Sequence, residues 1–102
     1  MTESLESLRS TTITITHPLG LHLRIGKDVV QAVSGYDAQM TAQNLTRQSP
    51  AVNARSILQL LQLQARQGHQ LQLSAQGPDA DRALDAVREL LAPAGSRPDD
   101  PA

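Results

Sequence analysis

The 102-residue chain predicts an α+β domain. The expected architecture is an open-faced β-sandwich in the order β-α-β-β-α-β-α, with a four-stranded, mainly antiparallel sheet and three helices on one face. Three observations predict it. Two stretches alternate apolar residues with Thr or Gln, so the sheet has one apolar and one wet face, as antiparallel or mixed sheets do. Three other stretches repeat apolar residues at helical spacing. Tyr36 is the only aromatic, so the core is built from Leu, Ile, Val, Ala and Met. A ferredoxin-like fold with an extra helix is the nearest competitor.

Each element has its own signal. Thr12-Ile13-Thr14-Ile15-Thr16 alternates strictly, Ile inward and Thr outward, and reads as a half-buried strand. From Ile25 onward, Val29, Val30 and Val33 recur at helical spacing, and Gly35 follows as a stop. Ala38, Met40 and Ala42 alternate with Gln39, Thr41 and Gln43, a weaker strand. Asn44 to Gln48 is a polar turn, and Ala51-Val52 is a short return strand, where Pro50 turns its nitrogen away from the ladder. Asn53 to Gln64 reads as a second helix, closed by Gly68. Leu71, Leu73 and Ala75 alternate with Gln70, Gln72, Ser74 and Gln76, a clean strand. Asp79 then caps a third helix, with Ala80, Ala83, Leu84, Val87, Leu90 and Leu91 on one stripe.

Residues 1–10 are mostly Ser, Thr and Glu, and residues 93–102 carry three prolines and no large apolar group. Neither end buries enough surface to offset its ordering entropy, so both are expected to be disordered tails around a domain at residues 11–92.

Composition excludes several classes of function. Nine basic and ten acidic side chains give a net charge of −1, which leaves no basic excess for nucleic acid. A single aromatic makes no base-stacking platform. Without Cys there is no disulfide and no thiolate metal site. No apolar run approaches the length of a bilayer span. The first ten residues lack the basic start and apolar segment of a secretory signal, so a cytoplasmic monomer is expected.

The residues with chemistry to offer are few. His17 and His22 share one loop, Thr16-His17-Pro18-Leu19-Gly20-Leu21-His22-Leu23-Arg24. His22 stands where the loop becomes the first helix, beside unpaired amides that prefer an anion. An imidazole there is well placed to carry a phosphoryl group, with Arg24 supplying a planar donor fork and Gly20 the tight turn. On spacing alone, an ordinary helix-start histidine and a solvated arginine is the simpler reading. His17 reads as loop surface or a neighbour of the site, and His69 as a turn residue too far along the chain to complete a zinc site. In the second helix Ile57, Leu58, Leu60, Leu61 and Leu63 cover an arc of roughly 220°, wider than a one-sided helix needs. Either a small core consumes it all, or part is an exposed docking patch. Ser56, before that run, reads as a capping hydroxyl.

Gly20-Leu21-His22-Leu23-Arg24, followed about thirty residues later by Val52-Asn53-Ala54-Arg55-Ser56-Ile57-Leu58, resembles the histidine-containing phosphocarrier (HPr) family of the bacterial phosphoenolpyruvate-dependent phosphotransferase system. The resemblance covers residues 11–92 and implies that family's open-faced sandwich. It implies that His22 becomes a pros-phosphohistidine, loaded by phospho-enzyme I and unloaded onto a sugar-specific or regulatory acceptor, with Arg24 assisting at the phosphate. It implies docking through Ile57, Leu58 and Leu61, with Gly20 and Leu23 in the binding surface. Ser56 matches a regulatory site written by a serine kinase in some lineages. No cofactor or metal is implied. The family motif continues from Arg to Pro and a small residue, whereas this chain continues Ile25-Gly26-Lys27. The alternative is a regulatory module that docks through the second helix without phosphorylation of His22. Acid-labile, base-stable phosphate uptake separates the two.

Overall fold

The computed structural model describes residues 8–91. Its elements run β1 (Arg9–Thr14), α1 (Leu23–Val33), β2 (Gln39–Asn44), β3 (Val52–Asn53), α2 (Ile57–Gln62), β4 (Gln70–Gln76) and α3 (Ala80–Leu91). The strand order is β1-β4-β2-β3, and every pair is antiparallel. This is the expected open-faced sandwich. β4 sits between β1 and β2, with Leu71, Leu73 and Ala75 buried on the helix side. Its outer face bears Gln and Ser, paired to Thr12 and Ser10 on one side and to Thr41 and Gln43 on the other. α3 lies on β1 and β4, and α1 packs against α3 and α2.

Several boundaries move, each for a physical reason. β1 starts at Arg9, not Thr12, because the polar Arg9–Thr11 run completes the ladder opposite Leu73–Ala75. Arg9 and Ser10 therefore belong to the sheet and not to a tail. Residues 1–7 and 92–102 lie outside the described residues, and with them the expected C-terminal tail and the last residue of the expected 11–92 domain. Beyond β1, Ile15 still bonds the turn before β4: its N–H donates to His69 O at 2.9 Å and its O accepts from Gly68 N–H at 2.7 Å. α1 begins at Leu23, two residues before the apolar stripe. Asp79 ties two elements together instead of serving only its own helix, since its Oδ2 accepts from Asp37 N–H at 2.8 Å.

α2 shrinks most, to six residues. Val52 and Asn53 are claimed by β2 (partners Ala42 and Thr41), and Ala54 N–H continues the pairing to Met40 O at 3.0 Å. The helix starts only where Ser56 Oγ accepts from Gln59 N–H at 3.3 Å. It ends in tight i→i−3 bonds from Leu63 and Gln64, with Gln64 at φ 48°. Leu60 and Leu63 are buried, Ile57 and Leu61 are half-buried, and Leu58 is 75% exposed.

Gly26 in α1 faces α2. A Cβ there would lie 3.8 Å from Ile57 Cγ2 and 3.9 Å from Leu61 Cδ2, ordinary packing distances. Gly26→Ala should therefore stabilise the domain by about 0.4–1 kcal/mol, because alanine loses less chain entropy on folding. Thermal melts should show a rise of roughly 2–6 °C.

Candidate functional site

Gly20 governs the entry to α1. Its φ is +70°, and a Cβ would meet Ala65 O at 2.4 Å and Arg66 Cα at 2.9 Å. The loop thus lies directly on the Ala65–Arg66 backbone, pinned by Leu21 N–H donating to Ala65 O at 2.8 Å. Leu21 is buried in the core. Gly20 is itself buried, so it sets the turn and does not present a binding surface, contrary to expectation.

His22 follows as the N-cap of α1, with φ −106° and ψ −179°. Its carbonyl accepts the first helical bond, from Gly26 N–H at 2.8 Å, and its ring makes no capping bond. The amides of Leu23, Arg24 and Ile25 precede that first bond and are the helix's unpaired donors. His22 is half-buried, and its Nε2 is enclosed without a hydrogen-bond partner. The ring centroid of His17 stands 5.1 Å away, tilted by 57°. His17 Nδ1 accepts from Leu19 N–H at 3.0 Å, and His17 O accepts from Gly20 N–H at 2.9 Å. Arg24 and Lys27 are exposed, and neither is held in an ion pair among the described residues. Leu19 and Leu23, on either side of His22, are 72% and 62% exposed.

The second motif separates into different roles. Of the three expected docking residues Leu58 is exposed, whereas Ile57 and Leu61 are half-buried beside Gly26. Ser56 caps α2, as its position predicts. Arg55 does something spacing did not signal. Its Nη1 donates to Val33 O (3.1 Å), Tyr36 O (3.1 Å) and Ala38 O (3.0 Å), gathering the carbonyls around the C-terminus of α1.

His69 is structural. Its Nδ1 meets Arg66 N–H at 3.1 Å and Asn44 Nδ2 at 3.1 Å. Asn44 is fully buried, and its Oδ1 accepts from Arg47 N–H at 3.2 Å, which fixes Nδ2 as the donor toward His69. His69 therefore orders the segment on which Gly20 rests. Among the described residues no group of three or more His, Asp or Glu could hold a metal ion. No helix among them is long and apolar enough to cross a membrane.

The site therefore centres on a histidine at an unpaired helix start, reached through Gly20-Leu21. Residues 9–93 match the family described as PTS HPr component phosphorylation site. The chain belongs to the HPr family. It is 36% identical to a multiphosphoryl transfer protein of Haemophilus influenzae over 91 residues, which is 89% of this chain and 18% of that protein. It is 33% identical to the phosphocarrier protein NPr of Escherichia coli K12 over 80 residues, 78% of this chain and 87% of NPr. The chain spans about a fifth of the length of the first curated relatives it matches. Among solved structures, HPr from Thermoanaerobacter tengcongensis superposes with a TM-score of 0.74 at 32% identity, covering 81% of this chain and 90% of that one. The departure from the HPr motif has a structural counterpart: Ile25, in place of Pro, packs its side chain against the core.

Proposed function

We propose that this HPr-family chain is a phosphoryl carrier of the phosphotransferase system, loaded on Nδ1 of His22 by phospho-enzyme I. It would then unload onto a sugar-specific or regulatory acceptor protein. The observation that carries the reading is the asymmetry of the His22 ring. Nε2 is enclosed, so Nδ1 is the nitrogen left to meet an incoming phosphorus, beside the unpaired amides of α1. The Nδ1 lone pair attacks in line. The P–N bond to the donor ring breaks, and its electron pair stays with the donor imidazole. Both sides are phosphohistidines, so the exchange is close to balanced and reversible. The helix start and Arg24 stabilise the transferring charge. Incubation with enzyme I and phosphoenolpyruvate should add one phosphate, labile in acid and stable in base. No mass increase under those conditions contradicts the proposal.

Arg24 is exposed and unpaired, so it should matter to transfer and hardly to stability. Arg24→Ala should slow phosphotransfer at least about tenfold, roughly 1.4 kcal/mol, with the melting temperature unchanged. Rapid-quench transfer rates check this.

Docking centres on Leu58 with Leu23 and Leu19, the exposed leucines near the two motifs. Leu58→Glu should weaken binding to phospho-enzyme I by about tenfold, while stability stays within about 0.5 kcal/mol, as for other exposed sites. Titration calorimetry and a melt separate the two effects. A phosphate written on Ser56 by a serine kinase would act in the same direction, adding about −1.5 to −2 charges two residues before Leu58.

A further inference from the structure

We propose that His17 is a second phosphate-binding residue, whose Nε2–H donates to an oxygen of the phosphoryl group on His22. This rests on the reading of His22 as the acceptor. The argument begins with the tautomer. His17 Nδ1 accepts the Leu19 N–H at 3.0 Å, so in the neutral ring the proton sits on Nε2. That ring has no lone pair free. It is therefore neither a good nucleophile nor a metal ligand, and its outer edge is a hydrogen-bond donor. The ring is held by this bond while the His17 carbonyl is held by Gly20 N–H at 2.9 Å, so the donor is positioned in advance. It stands 5.1 Å from the His22 ring, centroid to centroid, and the 57° tilt excludes a parallel stack. His17 is exposed, and no hydrogen bond among the described residues occupies its Nε2. A phosphoryl group on His22 brings three strong acceptor oxygens into this neighbourhood. The donors from α1 reach them from the helix start, and His17 reaches them from the loop.

The test uses His17→Asn. An Asn side-chain oxygen accepts from the backbone N–H two residues on, so the turn bond to Leu19 is kept while the ring nitrogen is lost. Parent and variant are equilibrated with enzyme I and phosphoenolpyruvate, and the His17 ring of the parent is followed by ¹⁵N–¹H NMR. Both proteins should carry phosphate on His22. The transfer equilibrium of the variant should shift about tenfold toward enzyme I, the factor one hydrogen bond to a charged group supplies. In the parent, phosphorylation should shift the His17 Nε2 resonance and slow exchange of its proton with water. Equal equilibria, or a His17 resonance unmoved by phosphorylation, overturn the proposal and leave the carrier reading intact. A parent that takes no phosphate on His22 overturns both.

Discussion

His22→Ala should abolish phosphate uptake from enzyme I and phosphoenolpyruvate, and the protein should remain folded. The ring makes no hydrogen bond among the described residues and is only half-buried, so its removal costs little packing. The expected loss of stability is about 1 kcal/mol or less, while labelling falls to background. The other histidines set the contrast. His17→Asn should still be labelled, because neither ring nitrogen of His17 offers a free lone pair. His69→Ala should also be labelled but should melt earlier. Its loss takes away an acceptor from the exposed Arg66 N–H and one of the two acceptors of Asn44 Nδ2, which keeps Leu63 O at 3.0 Å, at a total cost of about 1–2 kcal/mol. Mass spectrometry of the three variants, beside their melting curves, separates acceptor from scaffold.

Gly20→Ala should be the most damaging change of a single small residue near the site. Two effects add. The positive φ is unfavourable for any residue with a Cβ. The Cβ would also stand 2.4 Å from Ala65 O, a backbone atom that moves only with its whole segment. Together they should cost about 2–4 kcal/mol, a drop of roughly 10 °C or more in melting temperature. The functional effect follows from the same contact. Separating the loop from Ala65 breaks the Leu21 N–H bond that sets the height of His22 over the helix start. Transfer should therefore slow even at temperatures where the variant is fully folded. A Gly20→Ala protein with parental stability and rate would show that the turn does not position the histidine.

The fold was legible where one face of an element is buried and the other wet. β4 and α3 carry that pattern without interruption, and both lie where the periodicity puts them. Legibility failed where a residue's fate depends on a distant partner. Asn53 is helix-compatible in isolation but belongs to β3, because Thr41 stands opposite it. Arg9 looks like tail, yet Ala75 pairs with it. The site divides in the same way. His22 and Gly20 were readable from a local loop-to-helix signal. The Arg55 clamp on the end of α1 was not, since its three acceptors lie 17 to 22 residues back in the chain. Nor was the Asn44–His69 pair, 25 residues apart. The wide arc of α2 leaves open in sequence whether a small core consumes it all, and which leucine stays outside depends on where Gly26 admits Ile57 and Leu61.

The central claim concerns one atom, and ¹⁵N NMR of the ring-labelled, phosphorylated protein reads it directly. Phosphorus should couple to Nδ1 of His22, since Nε2 is enclosed and has no partner there. A phosphoryl group found on Nε2 of His22, or on either of the other two histidines, would contradict the account.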